Sequence, residues 1–139
     1  MKNKSCLTMA DVKIIAAGCE SEAHLQKWPV TIAIVDDGGH LLWLQRLDDA
    51  PLTSVEIATG KAYTSAMGRR TSKTYEEVVA GGRHAFLSIP GGLTLVEGGE
   101  PIIVNGETVG AVGVSGAKSP QDAQVARAGI KHLMDRLYQ

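Results

Sequence analysis

Residues 101–122 read PIIVNGETVGAVGVSGAKSPQD, and this stretch decides the fold. Asn105-Gly106 predicts a two-residue hairpin turn, because a type I′ turn needs positive φ at both central positions. Ile102, Ile103 and Val104 lead into it; Val109, Ala111, Val112 and Val114 lead out. Gly110 and Gly113 lie inside the second arm, where glycine weakens a strand unless another backbone or a ligand comes close. Ser115-Gly116 ends the arm. Ser119-Pro120-Gln121-Asp122 then opens a helix, with Ser119 as N-cap, Pro120 at the first helical position and an acid in the first turn. A small, polar, glycine-lined surface is thus expected between a strand end and a helix N-terminus. Gly113, Ser115 and Gly116 are its ligand-binding candidates.

Downstream, Ala123, Ala126, Ile130, Leu133, Met134 and Leu137 recur at helical spacing, so the last helix runs to about Tyr138. Upstream, Leu93–Val96 reads as a short strand after the turn Pro90-Gly91-Gly92. His84–Ile89 is open between a short strand and irregular chain. A short helix runs from Thr71 or Ser72 to Val79. Thr53–Gly68 is a helix of small apolar positions, with Thr53 and Glu56 spaced as a capping box. Val30–Asp36 and His40–Arg46 form a first hairpin around Asp37-Gly38-Gly39. The first helix spans Thr8–Lys27, with Thr8 and Asp11 at capping spacing. Two hairpins and no βαβ repeat predict an α+β domain, an antiparallel sheet with helices against it.

The 139 residues suit one domain over 1–139. Apolar residues are 44% but aromatics only 4%, with 16 glycines, so the core must be aliphatic with closely approaching backbones. A net charge of −1 gives no electrostatic case for nucleic acid or an anionic membrane. Cys6 and Cys19 form neither a metal spacing nor a disulfide framework, which points to a reduced, cytoplasmic protein. The start Met1-Lys2-Asn3-Lys4 and the later Ala16-Ala17-Gly18-Cys19 loosely resemble an export signal. Asp11 and Lys13 interrupt the apolar run such a signal needs.

The glycines from Gly110 to Gly116 miss the dinucleotide fingerprint in spacing and context. Ser115 is one residue off a nucleophile elbow. Asp36-Asp37 and Asp48-Asp49 read as turn residues more readily than as cation ligands. The four histidines show no metal spacing, and there is no C-x-x-C-H haem attachment site. His24, near the edge of the first helix's buried face, and His84, on a glycine-flanked segment, are the candidate axial ligands for a non-covalent haem. Arg46 and Lys61 are the candidate cations for a carboxylate or propionate. The plainer roles are an Arg46–Asp48 ion pair and a Lys61 stem that snorkels to water.

Ile34-Val-Asp-Asp-Gly-Gly-His40, Arg46-Leu-Asp-Asp-Ala50, Lys61-Ala-Tyr-Thr64, Pro90-Gly-Gly92, Val109-Gly-Ala-Val-Gly-Val-Ser-Gly116 and Gln121-Asp122 occur in that order. Jointly, from about Leu7 to Leu137, the chain resembles the GlcG/HbpS-like (DUF336) family, which includes the C-terminal domain of PduO-type proteins. The resemblance implies a profilin-like fold with a five-stranded antiparallel sheet flanked by helices, and homo-oligomers from dimer to octamer. It adds Gly91 and Gly92 to the ligand-binding candidates. It also implies haem as cofactor and an accessory role in glycolate, diol or glycerol metabolism. The chain departs from the family's R-M-D-G-A stretch, with Leu47 for Met and Asp49 for Gly. Two functional readings follow: a binding protein for haem or a related tetrapyrrole, and an enzyme acting on a small carboxylate or phosphorylated metabolite. A structural accessory subunit is a third. No catalytic motif favours the second.

Overall fold

A computed structural model describes residues 1–139. In chain order it has α1 (Met9–Gln26), β1 (Thr31–Asp36), β2 (Leu41–Arg46), α2 (Ser54–Gly68), α3 (Ser72–Ala80), a 3-10 turn (His84–Ser88), β3 (Gly99–Val104), β4 (Glu107–Ser115) and α4 (Ser119–Leu137). The sheet is antiparallel with strand order β2-β1-β4-β3. The α+β expectation therefore holds, but the sheet has four strands, not five. Leu93–Val96 is not a strand. It crosses α2, and its backbone bonds hydroxyls instead of a neighbouring strand: Thr94 N donates to Thr64 Oγ1 at 2.7 Å, and Ser72 Oγ donates to Val96 O at 2.6 Å.

The hairpin turn forms as read, with Asn105 at φ 50° and Gly106 at φ 77°. β1 and β4 are central, and their two faces are packed differently. Ile32, Ile34, Val112 and Val114 meet Val12, Ile15 and Cys19 of α1 and Val125, Ala126 and Leu133 of α4. Each large aliphatic side chain buried there contributes roughly 1.5–3 kcal/mol. The opposite face is built from Ala33, Val35 and Ala111 against Ala58, Ala62 and Ala66 of α2. Small residues let α2 lie flush on the sheet. A side chain at Gly113 would collide with the Ala58 carbonyl and sit 2.5 Å from Ala62 N, so this glycine admits the helix backbone, not a ligand.

Thr8 and Asp11 form the expected capping box, with Thr8 N donating to Asp11 Oδ2 at 2.8 Å and Asp11 N to Thr8 Oγ1 at 3.3 Å. The Thr53–Glu56 box does not form. Thr53 is already helical, because the chain enters α2 through a turn in which Ser54 N donates to Pro51 O at 3.0 Å. Ser119 is the first residue of α4 and not its cap. The extended residue before it, Lys118, gives its N–H to Gln121 Oε1 at 3.1 Å. No helix is long and apolar enough to cross a membrane.

Candidate functional site

The sheet register sets Arg46, Thr31 and Ser115 side by side across β2, β1 and β4. They mark the end of the sheet where α1 finishes and where α2 and α4 begin. α1 stops at Lys27, whose φ of 61° is left-handed, and Trp28 N donates back to Ala23 O at 2.9 Å. This closure turns the chain through Pro29 into β1. The last turn of α1 thereby faces the segment after β2, where Leu47 N bonds Val30 O at 3.0 Å and Ala50 N bonds Leu47 O at 3.2 Å.

Between them lies an open groove of about 580 Å³. Glu20, Ala23, His24 and Lys27 line it from α1, Trp28 and Pro29 from the closure, and Arg46 to Asp49 from the other wall. The volume falls in the range of small-molecule and cofactor sites. Two residues singled out from sequence, His24 and Arg46, share it. The Arg46–Asp48 ion pair is not made, and none of Lys27, Arg46, Asp48 or Asp49 joins any of the ion pairs in the chain. Glu20 is held from outside the groove: Gln45 Nε2 donates to its Oε2 at 2.8 Å, and Trp43 Nε1 donates to Gln45 Oε1 at 3.1 Å. Asp49 adopts φ 68°, a left-handed conformation that suits the glycine of the family pattern and that Asp tolerates better than most residues.

Lys61 does not reach water. It is 2% exposed, and its Nζ donates to Val114 O at 3.0 Å and to Asp122 Oδ2 at 3.1 Å. The other Asp122 oxygen accepts from Ala117 N at 2.9 Å. Burial pushes the Asp122 carboxyl above its ordinary value, and the Lys61 ammonium opposes that shift. The short stem-to-solvent path expected from sequence is closed because α2 lies flush on the sheet, with Gly98 against the ammonium. The space between β4 and the start of α4 is therefore filled by the protein's own groups. Ser115 is nearly buried, and neither it nor Gly116 lines a groove.

Gly91 and Gly92 line a different groove of about 440 Å³, with Gly39, Glu56, Gly60, Tyr63 and Thr94 among its neighbours. It shares no residue with the His24 groove. His84 lies exposed on the 3-10 turn and lines neither. Asp36, the last residue of β1, braces the turn, its Oδ1 accepting from Gly38 N and His40 N, each at 2.9 Å. Sequence reading missed Glu20, Lys27, Trp28, Gln45 and Tyr63. Only Glu20 carried a local signal, its four-residue spacing from His24 on one helix face.

A family model described as haem degrading protein HbpS-like matches residues 7–131. Over 115 residues the chain is 49% identical to protein GlcG of Escherichia coli, covering 83% of this chain and 85% of that protein. The solved structure of Klebsiella pneumoniae protein ORFY superposes with a TM-score of 0.86 at 29% identity, covering 96% of this chain and 97% of the other. That of the PduOC:haem complex also superposes at 0.86, with 26% identity over 92% and 95% of the two chains. With a match over nearly its whole length, a relative at this identity and the same fold, the chain belongs to the HbpS-like family.

Proposed function

We propose that the chain is a haem- or related tetrapyrrole-binding protein. Its site is the groove between the last turn of α1 and the segment after β2. The observation that carries this reading is the meeting of His24 and Arg46 in one groove, from distant parts of the chain. His24, Arg46 and Lys27 are the donors the groove offers, beside the carboxylates of Glu20, Asp48 and Asp49. His24 offers an imidazole nitrogen for an axial position. Arg46 and Lys27, free of carboxylate partners, suit two propionates through charge-assisted hydrogen bonds. Trp28, Pro29 and Leu47 give apolar surface for one macrocycle face. Bound there, the iron would supply electron-transfer or small-ligand chemistry. The chain's own residues hold and orient the group and shield part of it from water. The HbpS-like relatives, among them the protein in the PduOC:haem structure, support the choice of ligand.

The reading includes a homo-oligomer, between dimer and octamer, in the cytoplasm, serving glycolate, diol or glycerol metabolism as an accessory. Titration of the purified full chain with haemin, followed by the Soret band, tests it. Saturable binding is expected, lost in His24→Ala and retained in His84→Ala. A His24→Ala protein that titrates like the parent removes His24 and this groove from the function.

The enzyme reading now rests on the other groove, where the Tyr63 hydroxyl and the Glu56 carboxylate stand beside the Gly91-Gly92 backbone. Turnover of a small hydroxylated carboxylate that disappears in Tyr63→Phe would favour it over the haem reading.

A further inference from the structure

We propose that the cavity under the amino-terminal segment binds a small neutral apolar molecule, one aromatic ring or a short alkyl chain, and that residues 2–7 are the strap that closes over it. The site shares no residue with the His24 groove and does not depend on the tetrapyrrole reading. The cavity measures about 220 Å³. Leu133 and Leu137, one helical turn apart on α4, line it from one side. Val104 and Val109 line it from β3 and β4, and Cys6 and Leu7 from the segment before α1. Ser5 and Asp11 are its two polar residues. The Asp11 carboxylate is already committed to the helix cap, where Oδ2 accepts from Thr8 N and from Thr8 Oγ1, each at 2.8 Å. No histidine, lysine or arginine lines the space, so a charged ligand would lie there without a partner, and a neutral apolar one suits it. An apolar cavity of about 150 Å³ stays dry and takes up benzene, so this one scales to about nine non-hydrogen atoms.

Specific contacts lay the strap down. Lys2 pairs with Glu107 and Lys4 with Asp37, so the segment is tied beside both tight turns at that end of the sheet. Leu7 packs against the core and against Gly110 of β4. A side chain built on Gly110 would come within 2.7 Å of Leu7 Cδ1 and 2.4 Å of the Val35 carbonyl oxygen. The glycine inside the second arm of the hairpin therefore admits Leu7 on top of the β1 backbone. Thr8 then caps α1, which fixes the other end of the strap. The two ion pairs are exposed to solvent, with Lys2 at 71% and Lys4 at 42%. Pairs of this kind are weak and screened by salt, so the strap is held closed yet lifts readily to admit a ligand.

The test titrates the full chain with 1-alkanols from butanol to decanol and follows labelled Leu and Val methyl groups by NMR. Saturable shifts are expected at Leu7, Val104, Val109, Leu133 and Leu137. Affinity should rise about fourfold for each added CH₂ and level off near octanol, once the cavity is full. Bound alkanol should also slow the reaction of Cys6, which lines the same cavity, with a thiol reagent. Val104→Phe fills the cavity from a half-buried position and should abolish the shifts. Should that variant melt well below the parent, Leu137→Ala decides instead. It enlarges the cavity at a half-exposed position, so the plateau should move to longer chains. The double variant Lys2→Ala/Lys4→Ala should melt like the parent, release alkanol faster and lose the protection of Cys6. Affinity that climbs unbroken through decanol, or shifts scattered over the chain, would mean adsorption to open apolar surface and overturns the site. So does a plateau that stays at octanol in Leu137→Ala. Unchanged release and unchanged Cys6 protection in the lysine variant overturn the strap.

Discussion

Replacing Lys61 by Met decides whether this lysine belongs to the fold or to a ligand. The side chain keeps its stem but loses the ammonium that bonds Val114 O at 3.0 Å and Asp122 Oδ2 at 3.1 Å. Asp122 is 2% exposed and cannot turn to water. Removing one member of a buried pair costs about 3–5 kcal/mol, because the other charge stays buried without compensation. That is a large share of the 5–15 kcal/mol that holds a domain together. With a urea m-value of about 2 kcal/mol/M, the midpoint should fall by about 2 M at pH 7. Asp122→Asn should cost about as much, since it strands the ammonium instead. The pair Lys61→Met/Asp122→Leu should recover most of the loss, giving a coupling of about 2 kcal/mol or more in the double-mutant cycle closed by the single Asp122→Leu.

The pH dependence has a definite sign. Burial already raises the Asp122 carboxyl, and loss of Lys61 removes the opposing pull. A folded-state pKa above the unfolded value of about 3.9 means that the folded protein holds the proton more tightly. The Lys61→Met protein should therefore be least impaired below about pH 4 and lose ground as pH rises through the folded pKa. Urea titrations followed by circular dichroism at pH 4 and pH 7 measure both effects. A Lys61→Met protein as stable as the parent at pH 7 that has lost haemin binding would refute this reasoning and make Lys61 a ligand group.

Two further outcomes follow from local geometry. Asp49→Gly relieves a left-handed φ of 68°, and the gain is offset by the chain entropy of glycine, so stability should stay within about 1 kcal/mol of the parent. The same change deletes a groove charge, so haemin should bind more tightly, by about twofold for one charge removed through water, and weaker binding would contradict the propionate assignment. The two thiols should separate cleanly under a thiol-disulfide reagent. Cys6 is exposed and should react at once, whereas burial pushes the Cys19 thiol up to about 12, so it should react only on unfolding; two equally fast thiols in native buffer would show that the α1–α4 core is open.

The elements legible in the sequence are those whose cause is local. Asn105-Gly106 needed only its own backbone preference to be read as a turn, and Thr8 and Asp11 needed only each other. The strand placed at Leu93–Val96 had the right composition, but the segment runs over α2 and its backbone bonds the Thr64 and Ser72 hydroxyls instead of the open edge of β3. Thr53 and Glu56 had the right spacing, but the preceding turn at Pro51 carried Thr53 into the helix before its hydroxyl could cap anything. Lys61 was misread for a tertiary reason: an alanine helix face predicts close packing, and close packing removes the lysine's route to solvent. His24 and Arg46 lie on different elements, and only the left-handed closure at Lys27 and the register of β2 on β1 bring them to one groove. Asp49, the visible departure from the family pattern, was legible as a departure but acquired a meaning only once its φ was known.

The two ends of the sheet are not equivalent, and this asymmetry explains why the candidate groove lies where it does. At one end β1 meets β2 through Asp37-Gly38-Gly39, and β3 meets β4 through Asn105-Gly106; both are tight turns with no room for variation. The amino-terminal segment ties that end down further, with Lys4 on Asp37 and Lys2 on Glu107. At the other end the chain crosses between strands and helices through connecting segments, which can change without disturbing strand register. One of these, after β4, is filled by Lys61 and Asp122 and serves the fold. The other, after β2, leaves Arg46 free and faces the last turn of α1. With Lys61 committed to Asp122, Arg46 and Lys27 are the cations left to meet an anion in the groove that holds His24, and a ligand with both a metal and carboxylates is the chemistry that uses all three.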